Sequence, residues 1–167
     1  MHNTVQHMRF LAESLIRASP ERVFAFHELP DALERLTPRW AGSRVIEHAP
    51  SLSVGSRTIC DIRVAPLIWI RTELVHTACE RPRRFVDEQV RGPFRTWRHE
   101  HVVVPAEGGA RLIDIVDVEP PFGLLGRALA PLFILPRLRR LFAYRHDVTR
   151  AWCEGQESGI NHGASLV

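Results

Sequence analysis

The hydrophobic pattern changes period twice along this chain. Residues 8–16, MRFLAESLI, predict a first strand. ASPERVFAFHEL then carries helix-start signals: Ser19 as N-cap, Pro20 at the first helical position and Glu21 in the first turn, with Val23, Phe24 and Phe26 turned inward. DALERLT predicts a second short helix, capped by Asp31, with Leu33 and Leu36 as its apolar positions, ending before Pro38. Six strand-like segments follow, at 44–49, 55–64, 69–78, 84–91, 95–104 and 110–118, separated by PSLSVG, APL, CERPR, RGPF and PAEGG. Links this short predict an antiparallel meander. After PPFG the spacing becomes helical, with Leu138, Leu141, Phe142, Arg145, Val148 and Trp152 on one stripe. From residue 154 the periodicity stops, so 154–167 is expected to be a mobile tail behind one domain over 1–153. The fold class is α+β: a curved antiparallel sheet of about seven strands around a long C-terminal helix, with two short helices after strand one. A sheet curved round a helix can leave a hollow between them.

The segment TWRHEH raises the chemical question. Alternation along a strand puts Trp97, His99, His101 and Val103 on one side and Arg98 and Glu100 on the other, and the charged side must be wet. Closing the RGPF turn sets Gln89 opposite Trp97, Asp87 opposite His99 and Phe85 opposite His101. Closing the next hairpin at AEGG sets Val103 opposite Leu112, His101 opposite Asp114, His99 opposite Val116 and Trp97 opposite Val118. A polar group of Asp87, Gln89, His99, His101 and Asp114 then lies among Phe85, Trp97, Val116 and Val118.

Four readings of that group remain open. It can be a self-satisfied buried network, because an unpaired buried polar group costs roughly 1–3 kcal/mol. It can anchor the polar end of a ligand held by apolar walls. A third reading is general acid/base catalysis, with His99 or His101 as base, oriented by Asp87 or Asp114. The fourth is a metal site, since His-x-His presents two ligands together. No metal is expected, because the flanking aspartates can satisfy both rings by hydrogen bonds. Those carboxylates are also expected to outweigh burial and favour imidazolium.

Composition narrows the chemistry. The chain has 167 residues, 45% of them hydrophobic, enough for one sizeable core. All 22 basic residues are arginine, and the missing lysine excludes Schiff-base catalysis, lysine-anchored pyridoxal phosphate and the P-loop. No cofactor is expected. The formal charge of +3 is spread along the chain without a recognition motif, so no nucleic-acid partner is expected. Cys60, Cys79 and Cys153 are scattered, and no apolar run is long enough to span a bilayer, which predicts a soluble cytoplasmic protein with free thiols.

His76, in RTELVHTA, shares the inward face with Ile70 and Leu74 and reads as structural. Arg145 falls on the apolar stripe of the last helix, where it either reaches an acidic ligand group or caps the core at its edge. The segment 124–140 is apolar up to Leu135 apart from Arg127 and then rich in arginine, so it reads as a core-facing helix or as a cavity lid that touches a membrane surface transiently. Oligomeric state leaves no signal.

The runs SPERVFAF, FVDEQVRGPFRTWRHEH, LIDIVDVEPPFGLLG and RRLFAYRHDVTRAW, in this order, resemble the START-like superfamily, also called SRPBCC, over about residues 8–153. The nearest branch resembles the small bacterial ligand-binding members. The superfamily also holds the birch pollen allergen, lipid-transfer domains and polyketide cyclase/dehydrases. The resemblance implies a helix-grip fold whose cavity takes a hydrophobic or amphipathic, lipid- or polyketide-like small molecule. The expected lining is Phe85, Asp87, Gln89, Trp97, His99, His101, Asp114, Val116, Leu141 and Arg145. The alternative is a cofactor-independent cyclase/dehydratase-type enzyme using the His/Asp pair. Pro131 and Pro136 depart from the family's long helix, so a short helix and a bent segment are expected over 124–136.

Overall fold

The computed structural model describes residues 8–155. β1 (Met8–Ile16) leads to α1 (Pro20–His27) and α2 (Ala32–Arg35), then through a 3-10 turn to β2 (Ser43–Glu47). β3 (Arg57–Ala65), β4 (Ile68–Glu80), β5 (Arg84–Arg91), β6 (Thr96–Ala106) and β7 (Gly109–Glu119) continue the meander, and α3 (Gly123–Cys153) ends it. The strands form one antiparallel seven-stranded sheet in the order β1-β7-β6-β5-β4-β3-β2. This is the curved sheet around a C-terminal helix expected from the pattern, and the helix-grip fold that the resemblance implies.

Local chemistry accounts for the elements. Ser19 caps α1 by accepting from the Arg22 amide at 3.3 Å, with Pro20 just inside the helix. Asp31 precedes α2 without a side-chain cap; its carboxylate accepts from Arg35 Nε at 2.8 Å instead. Gly109, in the tight β6–β7 turn, has φ +152°, and a Cβ there would stand 2.1 Å from the Ile16 carbonyl. Only glycine fits so close to the end of β1.

The inward face of the sheet is stratified. Along β7, Ala110 and Leu112 are apolar, Asp114 is charged, and Val116 and Val118 are apolar again, all buried. The first pair joins Ile16, Val23, Phe24, Phe26, Phe85, Val103 and Cys153 in one core cluster. The second joins Phe10, Leu138 and Phe142 in another. The layer between them is polar, and α3 crosses it at His146.

Two expectations fail in α3. The helix runs unbroken through Pro131 and Pro136, not as a short helix and a bent segment. Both prolines are exposed, while Ala130, Ile134, Leu135 and Leu138 seat the helix inward, so packing outweighs the lost backbone bonds. The buried stripe is Leu138, Phe142, His146, Thr149 and Cys153, rotated from the apolar one read in the sequence. Glu154, placed in the expected tail, accepts from the Arg17 amide at 3.0 Å; the tail beyond Gly155 lies outside the described residues. Among those residues no helix is long and apolar enough to cross a membrane.

Each exposed prolyl ring interrupts the ladder of α3. Pro131→Ala and Pro136→Ala should therefore each stabilise the protein by about 1–2 kcal/mol, the helical gain exceeding the entropy returned to the unfolded chain. Urea denaturation of the single variants measures this.

Candidate functional site

The register that matters for chemistry is the one read from the hairpins. β5 pairs with β6 so that Asp87 faces His99 and Phe85 faces His101. β6 pairs with β7 so that His101 faces Asp114, His99 faces Val116 and Trp97 faces Val118. Gln89 is next in that register, toward Trp97, and its Nε2 donates to the Phe94 carbonyl at 2.7 Å, closing the β5–β6 loop.

Asp114 is the hub. Its Oδ1 accepts from His99 Nε2 at 2.9 Å and lies 2.7 Å from His101 Nδ1. The His101 contact is an ion-pair distance with poor direction for a hydrogen bond. Its Oδ2 is 2.6 Å from His146 Nε2, and His146 Nδ1 is 2.8 Å from the Ser14 hydroxyl. A carboxylate only accepts, so His99 Nε2 and His146 Nε2 carry the protons in these bonds. On the other flank Asp87 Oδ2 stands 3.3 Å from His99 Nδ1 and 3.7 Å from His101 Nε2. Aromatic neighbours hold the rings: Phe85 stacks on His101 at 3.9 Å between centroids, and Phe142 meets His99 edge-on at 5.0 Å.

The charges follow from this geometry. Burial alone would push His99 down, but the Asp87 charge and the bonds to Asp114 and Asp87 outweigh it and raise the ring to about 9. Burial would raise both carboxyls, yet the facing imidazoles hold Asp87 and Asp114 below the usual carboxylate range. His27, on α1, goes the other way. Burial, with help from His101, pushes it down to about 3. Burial likewise lowers His76 and the Arg145 guanidinium.

A cavity of about 460 Å³ opens between the sheet, α2 and α3. Its walls include Leu36, Ile62, Leu74, Val75, Phe85 and Leu141, and its polar lining includes His27, His76, Asp87, His99, His101 and Arg145. Of the residues expected in the lining, Gln89 and Trp97 are also there. Asp114 and Val116 are not among the wall residues: Asp114 backs the histidine rings, and Val116 is core between β7 and α3. Arg145 borders the cavity and donates from Nε to the Leu36 carbonyl at 3.1 Å. Asp87, His99 and His101 could hold a metal ion, since one ligating atom from each lies within 4.8 Å of the others.

Two residues of the site were missed in the sequence. His146 lies one turn beyond Phe142 on the buried stripe, and His27 one turn beyond Val23 on α1, where its Nδ1 donates to the Val23 carbonyl at 2.9 Å. Spacing could have found both.

A sequence profile described as polyketide cyclase / dehydrase and lipid transport matches residues 16–145. The chain belongs to this family. Among solved structures, TTHA0849 from Thermus thermophilus matches at 18% identity and a TM-score of 0.64, over 89% of this chain and 98% of that one. CV1439 from Chromobacterium violaceum matches at 17% and 0.64, over 87% and 97%. The di-domain ARO/CYC StfQ of the steffimycin biosynthetic pathway matches at 13% and 0.63, over 91% of this chain and 52% of that one. At these identities the likeness is one of fold. No curated protein matches the sequence.

The two classes of histidine predict a stability maximum. His99, raised above the usual value of about 6.5, stabilises fully below that pH and loses its contribution, about 3 kcal/mol, as pH climbs through about 9. His27, held down to about 3, contributes stability above about 6.5 that is lost as pH falls from there. Denaturant midpoints in the metal-free protein should peak near pH ~6.5. The alkaline fall should flatten in His99→Gln. In Asp87→Asn the His99 ring should titrate lower by NMR.

Proposed function

We propose that the protein binds a hydrophobic or amphipathic small molecule, lipid- or polyketide-like, whose apolar body fills the cavity and whose hydroxyl or carbonyl oxygen meets the histidine–aspartate group. One observation carries this reading: Asp87, His99 and His101 line the inner wall of a cavity of about 460 Å³ that is otherwise walled largely by apolar side chains. A volume of that size suits a small organic ligand. A purely structural network would have no reason to face open space. Membership of a family described by cyclase, dehydrase and lipid transport supports a small-molecule role without choosing among them.

A second reading has its own support. His99 Nε2 bonded to Asp114, with Nδ1 turned toward Asp87 at the cavity, is an imidazole oriented for proton transfer. Cyclase/dehydratase chemistry on a bound polyketide-like substrate would use that ring to move a proton at a carbon next to a carbonyl. The StfQ likeness in fold is compatible with this reading and does not decide it.

The outward side of α3 bears on loading. Phe133 lines the cavity and is 65% exposed, and Arg137 lines it too, with Arg139 and Arg140 beyond. An apolar edge beside arginines suits brief contact with an anionic lipid surface.

A fluorescent fatty acid or flat aromatic probe should bind the wild-type protein and change Trp97 emission. Leu74→Trp, which fills the cavity from β4, should weaken the probe by about tenfold or more, or roughly 1.4 kcal/mol, while leaving the fold intact by circular dichroism. Mass spectrometry of ligand extracted before and after incubation separates the two readings: an unchanged ligand supports a carrier, and a product that disappears in His99→Gln supports an enzyme.

A further inference from the structure

Asp87 faces both histidines from farther away than Asp114 does. Its Oδ2 is 3.3 Å from His99 Nδ1 and 3.7 Å from His101 Nε2, long for a charge-assisted bond. The opposite nitrogen of each ring is turned to one carboxylate, Asp114, at 2.9 Å from His99 Nε2 and 2.7 Å from His101 Nδ1. Once the rings lose a proton on the cavity side, His99 Nδ1 and His101 Nε2 are the nitrogens that face Asp87. The expectation of no metal assumed that the two aspartates would satisfy both rings, and at these distances Asp87 does so only loosely.

Three donors in this arrangement have a familiar chemistry. Ligands about 2.0–2.2 Å from a zinc ion at tetrahedral angles stand roughly 3.3–3.6 Å from one another. The two Asp87 distances bracket that range closely, and all three donor atoms lie within 4.8 Å. A carboxylate behind a ligating imidazole, fixing its tautomer and raising its basicity, is the usual outer partner of a metal-bound histidine. Asp114 would play that part for both rings at once, itself anchored by His146. The Asp87 carboxylate faces the position and the Asp114 carboxylate lies behind the rings, against one buried guanidinium, that of Arg145, so a dication enters a net negative environment once the rings are unprotonated. A second sign of an incomplete polar wall comes from β4. His76, paired with Asp87 across the strands, has a buried Nδ1 without a hydrogen-bond partner.

We propose that Asp87, His99 and His101 bind a divalent transition-metal ion of the zinc or iron(II) class at the inner wall of the cavity, with Asp114 as the carboxylate that orients both imidazoles. Two histidines and one carboxylate leave coordination positions open, and those positions face the cavity. The class of ligand such a site takes is an oxygen donor carried on an apolar body: an enolate, a phenolate or a pair of neighbouring carbonyl oxygens. The metal would polarise that oxygen as a Lewis acid. The metal site stands on the geometry of the cluster and does not require the small-molecule reading.

The test uses the full chain stripped with a chelator and dialysed. Titration with zinc by calorimetry, and with cobalt(II) by visible absorption, should give one ion per chain, with magnesium failing to compete. Asp87→Asn should weaken cobalt binding by at least about tenfold, and Asp114→Asn by about 10–100-fold. Asp87→Asn keeps the side-chain shape, so its melting curve verifies folding, and the wild-type titration needs no variant at all. Absence of saturable binding to the wild type overturns the proposal. So does binding of undiminished strength in folded Asp87→Asn and His99→Gln, because the ion would then sit on other histidines. Probe uptake by the metal-free protein is measured separately, so failure of the metal site and failure of the ligand reading give different results.

Discussion

A single carboxylate, that of Asp114, organises the interior. It lies on β7 between two apolar clusters and meets His99 and His101 from β6 and His146 from α3. An ionised carboxylate so deeply buried is tolerable only when cationic or donor partners surround it, and removing one partner of a buried charged group typically costs about 3–5 kcal/mol. The arrangement therefore constrains three elements together. α3 cannot slide along the sheet without leaving Asp114 short of His146, and β6 cannot slip in register without carrying both rings to the wet face.

That constraint explains why a polar layer can exist inside an otherwise apolar grip. Below it, α1 packs Phe24 and Phe26 against Phe85, Val103 and Leu112; above it, Phe142 packs on Phe10 and Val116. The clusters supply apolar burial, and the layer supplies direction. Toward β1 the layer closes through Ser14 and His146. Toward β5 it opens on the cavity, and there the pairing distances lengthen. The site is thus one edge of a network whose other edge is sealed.

Much of this was legible in the chain because hairpin closure is arithmetic. Once RGPF and AEGG are taken as turns, alternation forces Asp87 opposite His99 and His101 opposite Asp114, and the structure has both pairs. The bond from Gln89 to the Phe94 carbonyl was not legible, because strand alternation says nothing of where a long amide beside a turn reaches. His146 and Thr149 escaped for a different reason. Hydrophobicity alone does not mark the buried stripe of α3, because a stripe that crosses a polar layer contains polar residues by necessity. The prolines misled because local propensity counts the lost backbone bonds and is blind to the sheet beneath. His27 needed the helical spacing of α1 to be taken one turn further.

The support of α3 is uneven along its length. Its C-terminal half is pinned by Phe142, His146, Thr149 and Cys153, whereas toward its start Leu124 is 83% exposed, Leu132 69% and Phe133 65%, and the two prolines remove ladder bonds there. Local opening free energy follows burial and hydrogen bonding, so backbone amides before Leu138 should exchange with solvent deuterium well ahead of those after it. Phe133 and Ile134, on that weaker stretch, border the cavity. Fraying of this one segment would widen the entrance while the buried ion cluster stays assembled, so passage of a ligand and integrity of the site are governed by separate cooperative units of one helix.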